Sequence, residues 1–295
     1  MYRSLFMRIN KSNLKDVLYV LPSFIFITIF FFYPIGYIFG ISFYDWNGIS
    51  QNRTFVGLEN YKNFFTDKIA LKSLKNQFLW GIITIFSQMF LGLGMAILLR
   101  SQVKFKILYK IIFFFPNVIA VAVVAYVFNR IYDNNFGELN LLLDAIRLNF
   151  LTHPWLGDPN TALYALIIAN IWQWTGFSFL LYHAGLTQIN QELYESARID
   201  GANLLHIIKS IIIPLLKPTH IALLILGVIG TLKTFDIIYL TTRGGPARST
   251  EFLSTYVFQK GILEFKASYA STIALMIVII ALVLTIIQVK GYEKK

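Results

Sequence analysis

The chain contains no cysteine, which removes disulfides, thiolate metal sites and cysteine nucleophiles from consideration. Charge is also scarce. Asp, Glu, Lys and Arg make up 14% of the 295 residues, against about 25% in an ordinary soluble domain. Acid is scarcer than base: 15 acidic and 26 basic side chains leave a formal charge of +11. No G-x-x-x-x-G-K-[ST] occurs, so the chain has no phosphate-binding loop of its own, and no H-E-x-x-H offers a zinc site. The apolar runs hold no pair of carboxylates, which leaves a membrane-embedded enzyme without the acid–base inventory it needs. Internal repeats of about 20–50 residues and low-complexity tracts are missing too.

What the chain has instead is apolar length. Apolar residues make up 56% of it, mean hydropathy is +0.61, and the charges cluster between long apolar runs. That is the pattern of spans alternating with loops. The basic residues sit beside those runs rather than among interleaved aromatics, so anionic lipid head groups, not nucleic acid, are the expected partner. Arg3, Arg8, Lys11 and Lys15 precede an apolar run in the manner of a signal peptide. The run extends from Val17 to Phe43, however, well beyond the roughly 7–15 residues of a signal core, and no small-x-small site closes it. It reads as a retained span.

Six stretches reach the roughly 20 residues that a spanning helix requires: Val17–Phe43, Phe78–Leu99, Ile111–Ile131, Ala162–Leu186, Thr219–Leu240 and Ser268–Val289. The expected fold class is therefore an all-α polytopic membrane protein with six transmembrane helices. Barrel strands would be about 10 residues of alternating polarity. The segment Arg100–Lys110 carries four basic residues and no acid, and the C-terminal end carries Lys290, Lys294 and Lys295. The positive-inside rule then places both termini in the cytoplasm and loops 44–77, 132–161 and 241–267 outside. Residues 1–16 and 290–295 are the expected cytoplasmic tails of a single membrane domain, 17–289.

The most informative stretch is a polar break, residues 190–218, on the expected cytoplasmic side. Gln191 to Asp200 are good helix formers, with Glu192 and Glu195 near the positive end of the helix dipole. Gly201 suits a C′ position with φ > 0. A second helix is expected from about Ala202, with Leu204, Ile208, Ile211 and Leu215 on one apolar face. Pro214 and Pro218 punctuate the approach to the fifth span. By physics alone this is either an amphipathic joint lying at the interface or a specified docking element.

Glu195-Ser196-Ala197, Asp200-Gly201-Ala202, Ile211 and Pro214 resemble the EAA loop of ABC importer permeases. That pattern runs E-A-A-x-x-D-G-A, eleven residues, then P, and here it departs only at Ser196. Phe55-Val56-Gly57-Leu58-Glu59-Asn60-Tyr61, Trp155-Leu156, Ile171-Trp172-Gln173 and Thr234-Phe235-Asp236 through Gly244-Gly245-Pro246 resemble further landmarks of the carbohydrate-uptake group. The chain lacks the large external insert of the maltose first subunit. The resemblance implies the ABC type I importer permease fold in a bacterial or archaeal cytoplasmic membrane. It implies four kinds of partner: a second, different permease, two ATPase subunits, an extracytoplasmic binding protein, and a sugar or oligosaccharide solute. Under it, Glu195, Ser196, Ala197, Asp200, Gly201, Ala202 and Pro214 form the ATPase-coupling loop. ATP and Mg would be bound by the partner ATPases, with no cofactor or metal in this chain.

Polar residues within spans are costly and invite explanation. Lys233 and Asp236 either neutralise each other, or lie near enough to the surface to be hydrated, or line a solute path. Trp172, Gln173 and Trp174 fit either an interfacial belt or the stacking face and amide of a sugar site. Asn117 and Gln88 fit interhelical hydrogen bonds or the same path. His183 reads as a span-end residue, and Gly36-x-x-x-Gly40 fits a close helix contact. A polyol, sugar phosphate or glycoside is the alternative solute.

Overall fold

The computed structural model describes residues 11–100 and 104–293. Arg3 and Arg8, which entered the signal-peptide comparison, and Lys294 and Lys295, which entered the orientation argument, lie outside the described residues. The first span, α1 (residues 11–41), runs from Lys11 and passes through a π-helical turn at Thr28–Phe32. From Leu18 onward its side chains are exposed almost throughout. Gly36 and Gly40 make no close helix contact within this chain, since a Cβ at either position would meet nothing within 4 Å among the described residues. A two-stranded ribbon, Tyr44–Asp45 with Thr54–Phe55, and a short helix α2 (Glu59–Thr66) follow.

Helix α3 (Lys68–Arg100) has 33 residues, so the second span extends about ten residues beyond its apolar stretch at the N-terminal end. One face of the extension, Ala70, Ser73, Asn76 and Gln77, is buried. Asn76 donates to the Glu251 carbonyl at 3.0 Å, and Gln77 donates to the Thr231 carbonyl at 3.0 Å. The third span is not one rod. It is α4 (Lys106–Val118) and α5 (Val121–Ile131), which meet at 93° because Ile119 and Ala120 are both extended, with ψ 131° and 136°. Hydropathy measures how apolar a run is, not where it points, and neither break residue is Gly or Pro.

After α6 (Glu138–Ala145), helix α7 (Ala162–Thr187) is the most buried span. It packs along α3 and α4, and glycine permits both approaches. A Cβ on Gly92 would lie 2.7 Å from the Phe179 nitrogen, and one on Gly176 would strike the Phe113 carbonyl. Next come α8 (Gln191–Ile199), α9 (residues 204–215), α10 (Lys217–Lys233), α11 (Asp236–Thr241), α12 (Leu253–Phe258) and α13 (Ala267–Glu293). The fifth span is thus also broken, at Thr234-Phe235. Apolar packing forms three clusters, around Trp80, Leu166 and Ile238, around Phe179, Tyr182 and Leu216, and around Phe64, Tyr256 and Ile273. The third is tied at Asp67, which accepts from the Tyr256 and Tyr269 hydroxyls at 2.6 and 2.8 Å.

Candidate functional site

A cavity of about 420 Å³ lies between α3, α7, α10 and α11. Helix α3 contributes Trp80, Thr84 and Gln88, α7 contributes Asn170, Gln173, Trp174 and Phe177, and the break in the fifth span contributes Lys233, Thr234, Phe235 and Asp236. The helical period explains the grouping. Residues 84 and 88, and 170, 173, 174 and 177, each recur at three- and four-residue steps along one face. That spacing was available in the sequence, yet Trp80, Thr84 and Asn170 did not stand out as site residues.

Several wall residues are already engaged. Gln88 Nε2 donates to Asn170 Oδ1 at 3.0 Å, the interhelical bond that was one of its two readings. Gln173 is 1% exposed, and its Nε2 donates to the Ile119 carbonyl at 3.1 Å. That carbonyl belongs to the α4–α5 break, where the helical ladder has ended and an acceptor would otherwise be left over. The amide oxygen of Gln173 has no partner among the described residues. Trp174 lines the cavity. Trp172 and Asn117 are not among the residues that line it. Trp172 packs against Phe128 at 5.4 Å instead, and the side-chain nitrogen of Asn117 is buried without a partner among the described residues.

Of the readings open for Lys233 and Asp236, mutual neutralisation fails: among the described residues no ion pair joins them. Lys233 ends α10 and Asp236 begins α11, so the two do not share the face of one continuous helix. Each is exposed at the cavity wall. Asp236 stands at the amide end of α11 and Lys233 at the carbonyl end of α10, so each complements the local helix dipole. His183 lies within the last turns of α7 and stacks on Phe179 at 5.8 Å.

The second feature is the segment between α7 and α10. Asn190 caps α8 by accepting from the Glu192 amide at 3.1 Å. The helix ends in a Schellman motif: Ala202 N donates to the Ala197 carbonyl at 2.8 Å and Gly201 N to the Arg198 carbonyl at 3.1 Å. Gly201 has φ +78°, the left-handed value its position suggests. The next helix begins at Leu204 rather than near Ala202, because Asn203 caps it by accepting from the His206 amide at 2.8 Å. Its buried face also differs from expectation. Ile207 and Ile212 are buried, Ile208 and Ile211 are half-buried, and Leu204 and Leu215 are exposed. A π turn at Ile208–Ile212 inserts extra backbone and rotates the stripe away from the α-helical period.

Glu195, Ser196, Asp200 and Gly201 are exposed, as is Pro214 farther along, whereas Ala197 and Ala202 are half-buried against the bundle. Ser196 fits on the helix by donating its hydroxyl to the Glu192 carbonyl at 2.8 Å. The tip carries bare apolar side chains: Ile199 is 86% exposed and Leu205 is 76% exposed. Contacts of Lys72 and Asn76 with residues 247 and 251 put loop 242–252 at the other end of α3.

A bundle of spanning helices around a lined cavity, interrupted by a capped helix–turn–helix at one end, defines a multi-pass membrane transport protein. The chain belongs to the family of binding-protein-dependent transport system inner membrane components, whose model matches residues 88–289. It is 34% identical to the probable ABC transporter permease protein YurN of Bacillus subtilis over 97% of this chain and 98% of that protein. It is 32% identical to the trehalose/maltose transport system permease protein MalF of Thermococcus litoralis, covering 92% of each. Its fold superposes, with TM-score 0.83 at 23% identity, on a chain of a bacterial ABC transporter involved in the import of the acidic polysaccharide alginate, covering 96% of this chain and 99% of that one.

Proposed function

We propose that this chain forms part of the path by which an ATP-driven importer moves a sugar or oligosaccharide across the cytoplasmic membrane. The observation that carries the reading is the cavity wall. Aromatic rings (Trp80, Trp174, Phe177) stand beside hydroxyl, amide and charged groups (Thr84, Asn170, Lys233, Asp236). Carbohydrates present CH faces that stack on rings and hydroxyls that need hydrogen-bond partners. Relatives named for trehalose/maltose and for alginate transport agree with that chemistry.

In this reading Trp174, Lys233 and Asp236 meet the solute, while Gln173, buried behind them, holds the α4–α5 break in place. Two ATPase subunits bind ATP and Mg, and α8 docks on one of them through Glu195, Ser196, Asp200 and the apolar tip. Ala197, Gly201, Ala202 and Pro214 shape the loop from behind. The basic residues Arg100, Lys104, Lys106 and Lys110 lie toward the same end as α8, which supports a cytoplasmic placement for that end and for both termini. The exposed α1 offers surface to lipid and to a second, different permease, and an extracytoplasmic binding protein delivers the solute. Uptake of a panel of radiolabelled mono- and oligosaccharides into proteoliposomes tests the proposal. Uptake should need the complete assembly and internal ATP; transport by this chain alone on an ion gradient would sink it.

A second reading, an anionic solute such as a sugar phosphate or acidic glycoside, is favoured by one observation: the Lys233 ammonium stands at the wall without an ion-pair partner among the described residues.

A further inference from the structure

Arg100 ends α3, yet its side chain does not simply run out into solvent. Its guanidinium carbon lies 3.1 Å from the ring centroid of Tyr194, and Nη2 donates to Gln191 Oε1 at 3.0 Å. Both partners belong to α8. Tyr194 is the one buried residue of that helix, held in the apolar cluster with Ala96, Leu99 and Tyr182. Its hydroxyl has no hydrogen-bond partner among the described residues, so the ring face and not the hydroxyl holds it. A guanidinium suits this place because it stacks on a ring while donating in its own plane, which an ammonium cannot do.

The far end of the connection is the cavity. Trp80, Thr84 and Gln88 line it from the same helix, which runs unbroken to Arg100. Gln88 and Arg100 are twelve residues apart, or about 18 Å at the helical rise. By contrast, α7 joins α8 through the short, non-helical linker Gln188-Ile189-Asn190.

We infer that Arg100 is a positioning residue that ties α8 to α3, so that displacement of α8 and movement of the cavity wall are one rigid-body event. The inference rests on α8 being the ATPase-docking helix. A stiff element packed at both ends transmits displacement, whereas a slack joint dissipates it.

The test uses the full transporter in proteoliposomes, with ATP hydrolysis measured with and without its binding protein. An Ile199→Cys cross-link to the ATPase reports docking. Arg100→Ala and Tyr194→Leu should each lower the stimulation by binding protein by roughly threefold or more, with the cross-link intact. Arg100→Lys should fall between, and Tyr194→Phe should match the parent. A normal cross-link with unchanged stimulation in Arg100→Ala overturns the tie alone. No cross-link in the otherwise unmodified protein overturns the docking reading itself. Should Arg100→Ala fail to assemble, the Tyr194 pair decides: a loss in Tyr194→Phe equal to that in Tyr194→Leu refutes a role for the ring face.

Discussion

Gly201 permits the sharpest test of the turn between α8 and α9. Its φ is +78°, and a Cβ built there would meet nothing within 4 Å. A substitution at this position therefore costs backbone strain and no clash. Holding a non-glycine residue in the left-handed region costs roughly 1–2 kcal/mol, least for Asn and most for a β-branched residue. Gly201→Asn should be nearly silent, Gly201→Ala should strain the turn by about 1 kcal/mol, and Gly201→Val by about 2 kcal/mol. The last figure is roughly a thirtyfold shift against the intact Schellman turn. Each variant would be assembled with its partners, reconstituted, and assayed for solute taken up and ATP hydrolysed in the same vesicles. Membrane insertion and assembly should survive, while solute per ATP falls in the order Gly, Asn, Ala, Val. A Val variant that transports like the parent would show the loop to be only a joint. An Asn variant as impaired as Val would show that φ is not the relevant variable.

Gln173→Leu should strip the Ile119 carbonyl of its donor, at a cost of about 1–3 kcal/mol, visible as a lower melting temperature in detergent even if uptake persists. Lys233→Met should depress uptake of anionic sugars relative to neutral ones; unchanged selectivity would remove the argument for an anionic solute. Asp67 carries a pH signature. Burial pushes its pKa up, but the Tyr256 and Tyr269 hydroxyls and the Ile69 and Ala70 amides outweigh that and hold it below the ordinary value. A depressed pKa means stabilisation that is full above the unfolded value, about 3.9, and is lost as pH falls through the folded one. Asp67→Asn should therefore melt below the parent at neutral pH, and the gap should close in acid. A gap that persists undiminished in acid would refute the linkage.

Much of this was legible in the sequence, because lipid leaves a chain few options: every backbone group at bilayer depth must be bonded internally, so long apolar runs become helices. The span positions and the capped turn at Gly201 follow from local rules. What escaped was direction. The extended pair Ile119-Ala120 bends the third span without Pro or Gly at the break, and the π turn at Ile208–Ile212 rotates a face that a 3.6-residue period had assigned to Leu204 and Leu215. The pairing of Lys233 with Asp236 failed for the same reason, since it assumed a continuous helix where the chain breaks. At the site, Trp174, Gln173, Lys233 and Asp236 were legible as costly residues in apolar surroundings. Trp80 and Thr84 were not, since an aromatic or a hydroxyl in a span costs little and raises no flag.

The bond from Gln173 to the Ile119 carbonyl divides the cavity wall into two kinds of residue. Gln173 and the Gln88–Asn170 pair hold helices in register, and changing them disturbs the scaffold. Among the described residues, Lys233, Asp236 and Trp174 make no comparable side-chain hydrogen bond, with Lys233 and Asp236 exposed at a break that already interrupts the helix. A lineage, or an engineer, can exchange those three while the bundle stays as it is. Under the proposed function, solute preference can therefore change while the architecture is kept, and the first positions to vary in a redesign are those flanking Thr234-Phe235.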